Sequence, residues 1–277
     1  MLVELAIGDA YGAGFEYADP RHVAAHNTLR GYVRHPTHRG IAPGAYTDDT
    51  QMTLALAELL VDGGPWTPEA IAERFVDAFH RDPRDGYARG FRQFLQEVRT
   101  GADFLARIRP DSDKSGAAMR AAPLGLLPAL DEVLHHATVQ ARVTHDTPDG
   151  IASASAAALA VHYCRFSLGP VAEVGPWLAE RLGSAVWSRP WEGKVGSKGV
   201  MSVRAALTAL AGHDSLSAIL RACVAFTGDV DTVATVALAA ASTSPQVAAD
   251  LPAVLFDDLE NGPYGRDHLA RLDARLP

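Results

Sequence analysis

Two acidic motifs lie far apart in the chain, and each directly precedes a run of apolar residues. The first is Thr47-Asp48-Asp49-Thr50 and the second is Gly228-Asp229-Val230-Asp231-Thr232. Each motif places two carboxylates and a threonine hydroxyl at the predicted start of a helix. Four carboxylates brought together raise one another's pKa and lose solvent, which is costly without a compensating positive charge. Ligand sets made only of oxygen favour Mg²⁺ or Mn²⁺ over zinc. The pattern therefore predicts a binuclear metal site built from two helix N-termini.

The alternative for each motif is ordinary helix capping. Asp and Thr are favoured at helix N-caps, and acidic side chains suit the positive end of the helix dipole. Capping needs one such residue per helix, whereas each motif supplies a threonine and two carboxylates. This excess favours the metal site over capping alone.

Five stretches of the chain, in order, resemble the motifs of the ADP-ribosylglycohydrolases, the family of the DraG and ARH type enzymes. They are Gly8-Asp9-Ala10-Tyr11-Gly12-Ala13-Gly14-Phe15-Glu16, Thr47-Asp48-Asp49-Thr50-Gln51-Met52, Ser115-Gly116-Ala117-Ala118-Met119-Arg120, Thr144-His145 and Gly228-Asp229-Val230-Asp231-Thr232. Five motifs in the family's order are far more specific than any one of them, and together they span most of the chain.

Three positions depart from the family's pattern. Thr227 and Val230 stand where the family often has glycine and threonine, and Ser115 replaces an asparagine. None of these changes removes a carboxylate. These changes affect the backbone around Asp229 most, since glycine permits backbone conformations that threonine does not.

The resemblance implies a metal-dependent hydrolase that cleaves the C1″ glycosidic bond of an ADP-ribosylated substrate, such as a modified arginine or serine side chain, and releases ADP-ribose. It implies two divalent ions, Mg²⁺ or Mn²⁺, that orient the ribose hydroxyls and activate water. The metal ligands it implies are Thr47, Asp48, Asp49, Asp229, Asp231 and Thr232, and the catalytic residues are Glu16, Asp48 and Asp231.

Glu16 follows Gly12 and Gly14 in what the sequence predicts to be a glycine-rich turn, where backbone can approach a substrate. By resemblance Glu16 acts in acid–base chemistry or gates the site; the alternative is a surface carboxylate. Asp9 has two interpretations, a support for the acidic residues or a simple turn residue.

The resemblance also implies an ADP-ribose groove lined by Ser115, Gly116, Met119 and His145. Taken alone, Met119 would be predicted to pack in the core. His145 would equally be predicted to pair with its neighbour Asp146.

Patterning predicts an all-α fold: a single compact multi-helix domain over residues 1–277, as in the family. Thr67-Pro68, Thr147-Pro148, Gly169-Pro170 and Asp214-Ser215 are typical helix starts. The run Val233 to Ala241 is nearly all small and apolar, which predicts a central, closely packed helix. We expect loops at residues 31–44, 109–115, 187–199 and 261–265.

Segment 187–199 carries glycines and cations but lacks the spacing of a P-loop. It is predicted to be either a solvated connection or a lid that contacts phosphate.

Composition limits the partners and the compartment. The net charge of −8 argues against broad contact with nucleic acid, which needs a basic surface. The two cysteines, Cys164 and Cys223, lie in apolar helical patterns and indicate a reducing compartment. No long apolar run or leader sequence is evident. We therefore expect a cytoplasmic monomer that acts on an ADP-ribosylated protein or small molecule, without membrane contact.

Other functions remain as alternatives. These are a hydrolase of a small ADP-ribose derivative or modified nucleotide, and a non-catalytic ADP-ribose binder. The Asp-x-Asp-Thr of residues 229–232 is similar to a phosphatase motif of the haloacid dehalogenases, which follows the first strand of an α/β fold; here it lies late in a helical chain. The Asp-Asp-x-x-Asp motif of terpene synthases is absent, because Met52 stands at its last position.

Overall fold

Helices make up all the regular structure of the computed structural model, which describes residues 1–277, and no β-sheet forms. The α-helices are α1 (Leu2–Ala13), α2 (Pro20–His26), α3 (Asp48–Asp62), α4 (Pro68–Arg81), α5 (Arg89–Glu97), α6 (Gly101–Arg107), α7 (Gly116–Met119), α8 (Leu130–Arg142), α9 (Pro148–Arg165), α10 (Val174–Arg181), α11 (Gly199–Gly212), α12 (Leu216–Ala225), α13 (Val230–Ala241), α14 (Ala253–Asp257) and α15 (Arg266–Asp273). Short 3-10 helices span Ala122–Leu126, Val171–Glu173 and Ala185–Ser188. The prediction of an all-α fold is confirmed.

Helix α13 is the centre of the molecule, and every one of its residues is buried. It packs against α1, α9, α11 and α12. Small apolar side chains let these neighbours approach closely on all sides, so the prediction of a central helix after the second acidic motif is confirmed.

The contact between α1 and α13 depends on two glycines of α1. A Cβ atom on Gly8 would lie 2.7 Å from the carbonyl oxygen of Ala234, and one on Gly12 would overlap the Cα atom of Asp231. The prediction of a glycine-rich turn is therefore wrong for Gly12, since α1 continues to Ala13, and the turn begins only at Gly14. Gly8 and Gly12 lie four residues apart and so share the helix face that meets α13.

The local capping signals are confirmed at three helices. The side chains of Thr67, Thr147 and Ser215 accept hydrogen bonds from backbone N–H groups in the first turns of α4, α9 and α12. The predicted helix from Gly169 to Leu182 is split into a 3-10 turn and α10. Pro176 lies in the first turn of α10, where its missing N–H and fixed φ are tolerated, so the α-helix has to start shortly before it.

Two groups of buried side chains form the interior. The larger surrounds α1, α9, α11 and α13, and the smaller lies between α3, α4, α5 and α6. Helix α3 contributes to both groups, through Leu54 and Ala57 to the larger and through Met52, Ala55, Leu56 and Leu59 to the smaller. Cys164 and Cys223 are buried and unbridged, as expected. None of the helices has the length and apolar character needed to cross a bilayer.

Candidate functional site

Asp9, on α1, binds the first turn of α3. Its fully buried carboxylate accepts hydrogen bonds from the backbone N–H groups of Thr47 (2.9 Å) and Thr50 (3.0 Å) and from their hydroxyls (2.7 and 2.6 Å). The side chain of Thr47, the N-cap residue, makes no capping bond of its own. The Asp9 carboxylate thus caps α3 from a neighbouring helix and positions Asp48 and Asp49. Of its two interpretations, support for the acidic residues is the one the structure bears out.

The two acidic motifs converge with Glu16 at one end of a cavity. Oxygen atoms of Glu16, Asp229 and Asp231 lie within 4.8 Å of one another. Asp48 and Asp49 line the same cavity wall. The segment after α1 and the first turns of α3 and α13 therefore meet at one site, although they are distant in the sequence.

Burial raises the pKa of every carboxyl in this cluster, and repulsion between the carboxylates adds to the effect. The pKa values of Asp48, Asp49 and Asp231 lie well above the ordinary value. The pKa of Asp229 is raised less, because hydrogen bonds to its carboxylate oppose the effect of burial. Burial and the nearby Asp229 raise the pKa of Glu16 to about 7.

Two carboxylate oxygens of the cluster are left without a hydrogen-bond donor. Asp49 Oδ1 and Asp231 Oδ1 are buried and have no hydrogen-bond partner. Buried carboxylate oxygens without donors, which also repel one another, are compensated by a hard divalent ion. The residues present therefore fit a Mg²⁺- or Mn²⁺-type ion.

Asp229 is held by groups that the sequence did not point to. The Ser202 hydroxyl, on α11, donates to Asp229 Oδ2 at 2.6 Å. The backbone N–H of Asp229 donates to the carbonyl oxygen of Val195, and the N–H of Val195 donates to the carbonyl oxygen of Thr227. A serine on an apolar helix gives no local signal of such a role.

The backbone before Asp229 is left-handed at two successive residues. Thr227 has φ +63° and Gly228 has φ +92°. A Cβ atom on Gly228 would overlap the carbonyl oxygen of Val195. Thr227 keeps the conformation that glycine would adopt without strain, so this departure from the family's pattern places a β-branched residue in a disfavoured region.

The cavity has a volume of about 710 Å³. The acidic residues Glu16, Asp48, Asp49, Asp229 and Asp231 line one part of it, together with Thr232. Its other walls include all four predicted substrate-binding residues, Ser115, Gly116, Met119 and His145. Phe91 and Phe94 of α5 also line it, as do the cations Arg109 and Lys114. A pocket of this size accommodates a ligand of nucleotide dimensions.

Thr47 is the one predicted site residue that does not line the cavity. Its hydroxyl hydrogen is donated to Asp9, which leaves only the oxygen lone pairs to face a cation. Its role as a ligand stays a prediction.

His145 does not pair with Asp146, the alternative partner that the sequence offered. Asp146 instead lies 3.4 Å from the guanidinium Nε of Arg142, at the surface. The Nδ1 atom of His145 lies 2.7 Å from the Thr144 hydroxyl, and the ring faces the cavity across Gly116.

Glu16 is held in place by His35, a buried residue that the sequence did not single out. The His35 Nδ1 atom accepts the backbone N–H groups of Thr37 (3.1 Å) and His38 (2.8 Å), so it carries no proton. The Nε2 atom therefore carries the proton and donates it to the carbonyl oxygen of Glu16 at 2.7 Å. This bond fixes segment 31–41 against the backbone of Glu16. Glu16 also lines a smaller cavity of about 390 Å³ beside His38 and Asp85.

Segment 187–199 is a largely exposed connection that is hydrogen-bonded to two neighbouring loops, and its contact with phosphate stays a prediction. Its Ser197 accepts the backbone N–H of Ser115 at 3.0 Å, while Val195 binds the loop before Asp229. Lys198 pairs with Asp113 at 2.6 Å. The segment joins the two loops that bound the cavity.

Comparison with known proteins agrees with this fold. The family model described as ADP-ribosylglycohydrolase matches residues 1–276. The structure of a protein titled "ADP-ribosylglycohydrolase-related protein complex" superposes with a TM-score of 0.72 at 24% identity, covering 99% of this chain and 94% of the other. The all-α fold of this chain is therefore shared with a protein of the ADP-ribosylglycohydrolase class. The chain belongs to the ADP-ribosylglycohydrolase family.

Curated relatives match over shorter stretches. The ADP-ribosyl-[dinitrogen reductase] glycohydrolase of Rhodospirillum rubrum is 32% identical over 154 residues, which is 52% of this chain and 49% of that protein. The ADP-ribosylarginine hydrolase Tri1 of Serratia proteamaculans is 29% identical over 55% of this chain and 43% of its own length. Human ADP-ribosylhydrolase ARH3 is 30% identical over 58% of this chain and 48% of its own length. The chain spans about half the length of these relatives.

The strained loop before Asp229 gives a stability prediction. Thr227→Gly should raise the free energy of unfolding by up to about 1 kcal/mol, because relief of left-handed strain exceeds the added entropy of the unfolded chain. Gly228→Ala should lower it by about 2 kcal/mol or more, because the new Cβ overlaps Val195. Urea titrations of both variants measure the two changes. Destabilisation by Thr227→Gly would show that the threonine is not strained.

Proposed function

We propose that this protein is a metal-dependent hydrolase that cleaves the C1″ glycosidic bond of ADP-ribosylated protein side chains, such as arginine or serine, and releases ADP-ribose. The observation that carries the proposal is the convergence of Glu16 with two acidic helix N-termini at one part of a single cavity. Other parts of the cavity lining offer serine, glycine and histidine groups suited to a nucleoside diphosphate.

Two divalent ions, Mg²⁺ or Mn²⁺, are the proposed cofactors. The proposed ligands are Thr47, Asp48, Asp49, Asp229, Asp231 and Thr232. When bound, such ions orient ribose hydroxyls and lower the pKa of a coordinated water. The unsatisfied oxygens of Asp49 and Asp231 support this ligand set.

Glu16 is the proposed acid–base residue. Burial raises its pKa to about 7, so at neutral pH it exchanges a proton readily. As an acid it would protonate the nitrogen or oxygen that leaves C1″, and as a base it would take a proton from the attacking water. Cleavage of this bond develops positive charge on the ribose, which the nearby carboxylates of Asp48 and Asp231 stabilise.

The remaining cavity walls would bind the ADP portion. The backbone at Gly116 has no side chain between it and a ligand, and the N-terminal turn of α7 presents Ser115. Met119 and the aromatic rings of Phe91 and Phe94 offer apolar contact to a base. The names of the Rhodospirillum and Serratia relatives, an ADP-ribosyl-[dinitrogen reductase] glycohydrolase and an ADP-ribosylarginine hydrolase, support a protein side chain as the acceptor.

Hydrolysis should require the metal. Release of ADP-ribose from ADP-ribosyl-arginine and ADP-ribosyl-serine peptides, with O-acetyl-ADP-ribose as a small-molecule comparison, should be lost in chelator and restored by Mg²⁺ or Mn²⁺. Metal-loaded protein that binds ADP-ribose but cleaves none of these substrates would instead be a non-catalytic binder. Full activity without metal would contradict the binuclear mechanism.

Thermal unfolding of the same protein reports the metal without any assay of activity. Mg²⁺ or Mn²⁺ should raise the unfolding temperature of the wild type, because an ion that binds only the folded state stabilises it. Asp231→Ala should remove this response. Asp149→Ala is the matched control, because Asp149 lies in the first turn of α9, outside the cavity, and its loss should leave the metal response unchanged.

Glu16→Gln keeps the size of the side chain and removes its charge and transferable proton. Turnover in a single-turnover assay should fall by about 10²–10⁴-fold, the usual contribution of a general acid or base. Affinity for ADP-ribose in a calorimetric titration should change little. Unchanged turnover would transfer the proton-transfer role to a metal-bound aspartate.

His35 should affect turnover through Glu16, and two variants separate its hydrogen bonds. His35→Asn keeps an acceptor for Thr37 and His38 but cannot reach Glu16, whereas His35→Gln keeps a donor that can reach it. His35→Asn should lower kcat by about 10–100-fold with KM little changed, since misplacing a catalytic group by a fraction of an ångström is costly. His35→Gln should retain more activity. Equal loss in both variants would point to a general effect on the fold.

A further inference from the structure

Arg120 is a buried cation without a carboxylate partner. Its side chain is 1% exposed. The guanidinium donates from Nε to Gln140 Oε1 (2.6 Å) and from Nη2 to the Gln140 carbonyl (3.1 Å) and to Thr144 Oγ1 (2.7 Å). It also lies 4.4 Å from the ring centre of Phe75. Burial lowers the pKa of Arg120 to about 9, which leaves it charged at neutral pH. Burying an unpaired charge is costly, so its contacts merit a functional explanation.

The directions of these hydrogen bonds fix the protonation of His145. Thr144 Oγ1 accepts from Arg120, and its own hydrogen has one acceptor in reach, His145 Nδ1 at 2.7 Å. A proton on Nδ1 would leave the buried Thr144 hydroxyl hydrogen without an acceptor. Nδ1 is therefore the acceptor, and the ring proton resides on Nε2.

The charge of Arg120 acts in the same direction. Burial and, next, the positive charge of Arg120 lower the pKa of His145 to about 3. The ring is therefore neutral across the physiological range, and its only polar hydrogen is the one on Nε2.

The Nε2–H group faces the cavity. His145 lines it, and a Cβ atom on Gly116 would lie 3.2 Å from Nε2. Nε2 has no protein acceptor, whereas Nδ1 is bound to Thr144. The group is thus free to donate to an oxygen of a ligand that lies along the Gly116 backbone.

The same network also holds the turn that carries Gly116. Gln140 donates from Nε2 to the carbonyl oxygen of Ala117 at 2.9 Å and accepts from Arg120. One buried guanidinium therefore connects this turn with the neighbouring His145.

We propose that Arg120 is a positioning residue that acts through Thr144 to hold His145 as a neutral Nε2–H donor to an oxygen acceptor of the ligand. The inference deepens the proposed function and rests on it for the identity of the ligand, ADP-ribose. His145 in this state is neither a general base nor a metal ligand at Nε2, because that nitrogen has no free lone pair.

Two substitutions at Thr144 test the relay with little change of volume. Thr144→Ser keeps the hydroxyl, and Thr144→Val removes it. Nitrogen-15 NMR of labelled histidine side chains distinguishes the two ring tautomers. The wild type and Thr144→Ser should show the Nε2–H form alone at His145, while Thr144→Val should show a mixture. Arg120→Met, if folded by circular dichroism, should show the same mixture, since the Thr144 hydroxyl then becomes free to accept from Nδ1–H.

Calorimetric titration with ADP-ribose in Mg²⁺ gives the second readout. Thr144→Val should weaken binding by about 5–20-fold, the loss expected for one well-placed hydrogen bond, and Thr144→Ser should stay within about twofold of the wild type. A wild-type Nδ1–H tautomer, or equal affinity of the two Thr144 variants, would overturn the inference. Failure of the wild type to bind ADP-ribose would instead overturn the proposed function, and the tautomer measurement would still decide the relay.

Discussion

The hydrogen bonds that Asp9 accepts decide where the first acidic motif lies. The backbone and hydroxyl groups of Thr47 and Thr50 all point at one buried carboxylate on another helix. That arrangement satisfies donors that a helix start otherwise leaves open, and it also fixes α3 against α1. Helix α1 in turn packs on α13 through Gly8 and Gly12. The positions of both acidic motifs are therefore fixed relative to α1.

The cluster works against the stability of the fold that holds it. A raised pKa means that the folded state favours the neutral form of a carboxyl group, so the ionised carboxylates destabilise the fold. The surrounding structure tolerates this because α13 is buried on every side and cannot move to relieve the repulsion. The effect is smaller at Asp229, since the Ser202 hydroxyl donates to its carboxylate. A bound cation would turn an unfavourable cluster into a favourable one.

Local signals in the sequence were enough for the helices and for most of the site. Thr67, Thr147 and Ser215 act within their own helix turns, so their type and spacing predicted the starts of α4, α9 and α12. One cavity is lined by Glu16, the aspartates and the groove residues, as the resemblance implied. Their individual roles remain predictions.

The roles that could not be predicted from the sequence depend on contacts between distant segments. Ser202 and His35 have ordinary local surroundings, and their roles arise only when α11 meets Asp229 and segment 31–41 meets Glu16. Gly12 was misinterpreted as part of a turn because glycine signals flexibility locally. Here its missing side chain instead permits the approach of α13.

The pairing of α1 with α13 also has a consequence for how the protein is made. Gly12 contacts Asp231, about 220 residues later in the chain. A ribosome that adds on the order of 5–20 residues per second needs roughly 10–40 s to cover that distance. During this interval the apolar face of the nascent α1 lacks the helix that covers it in the folded protein.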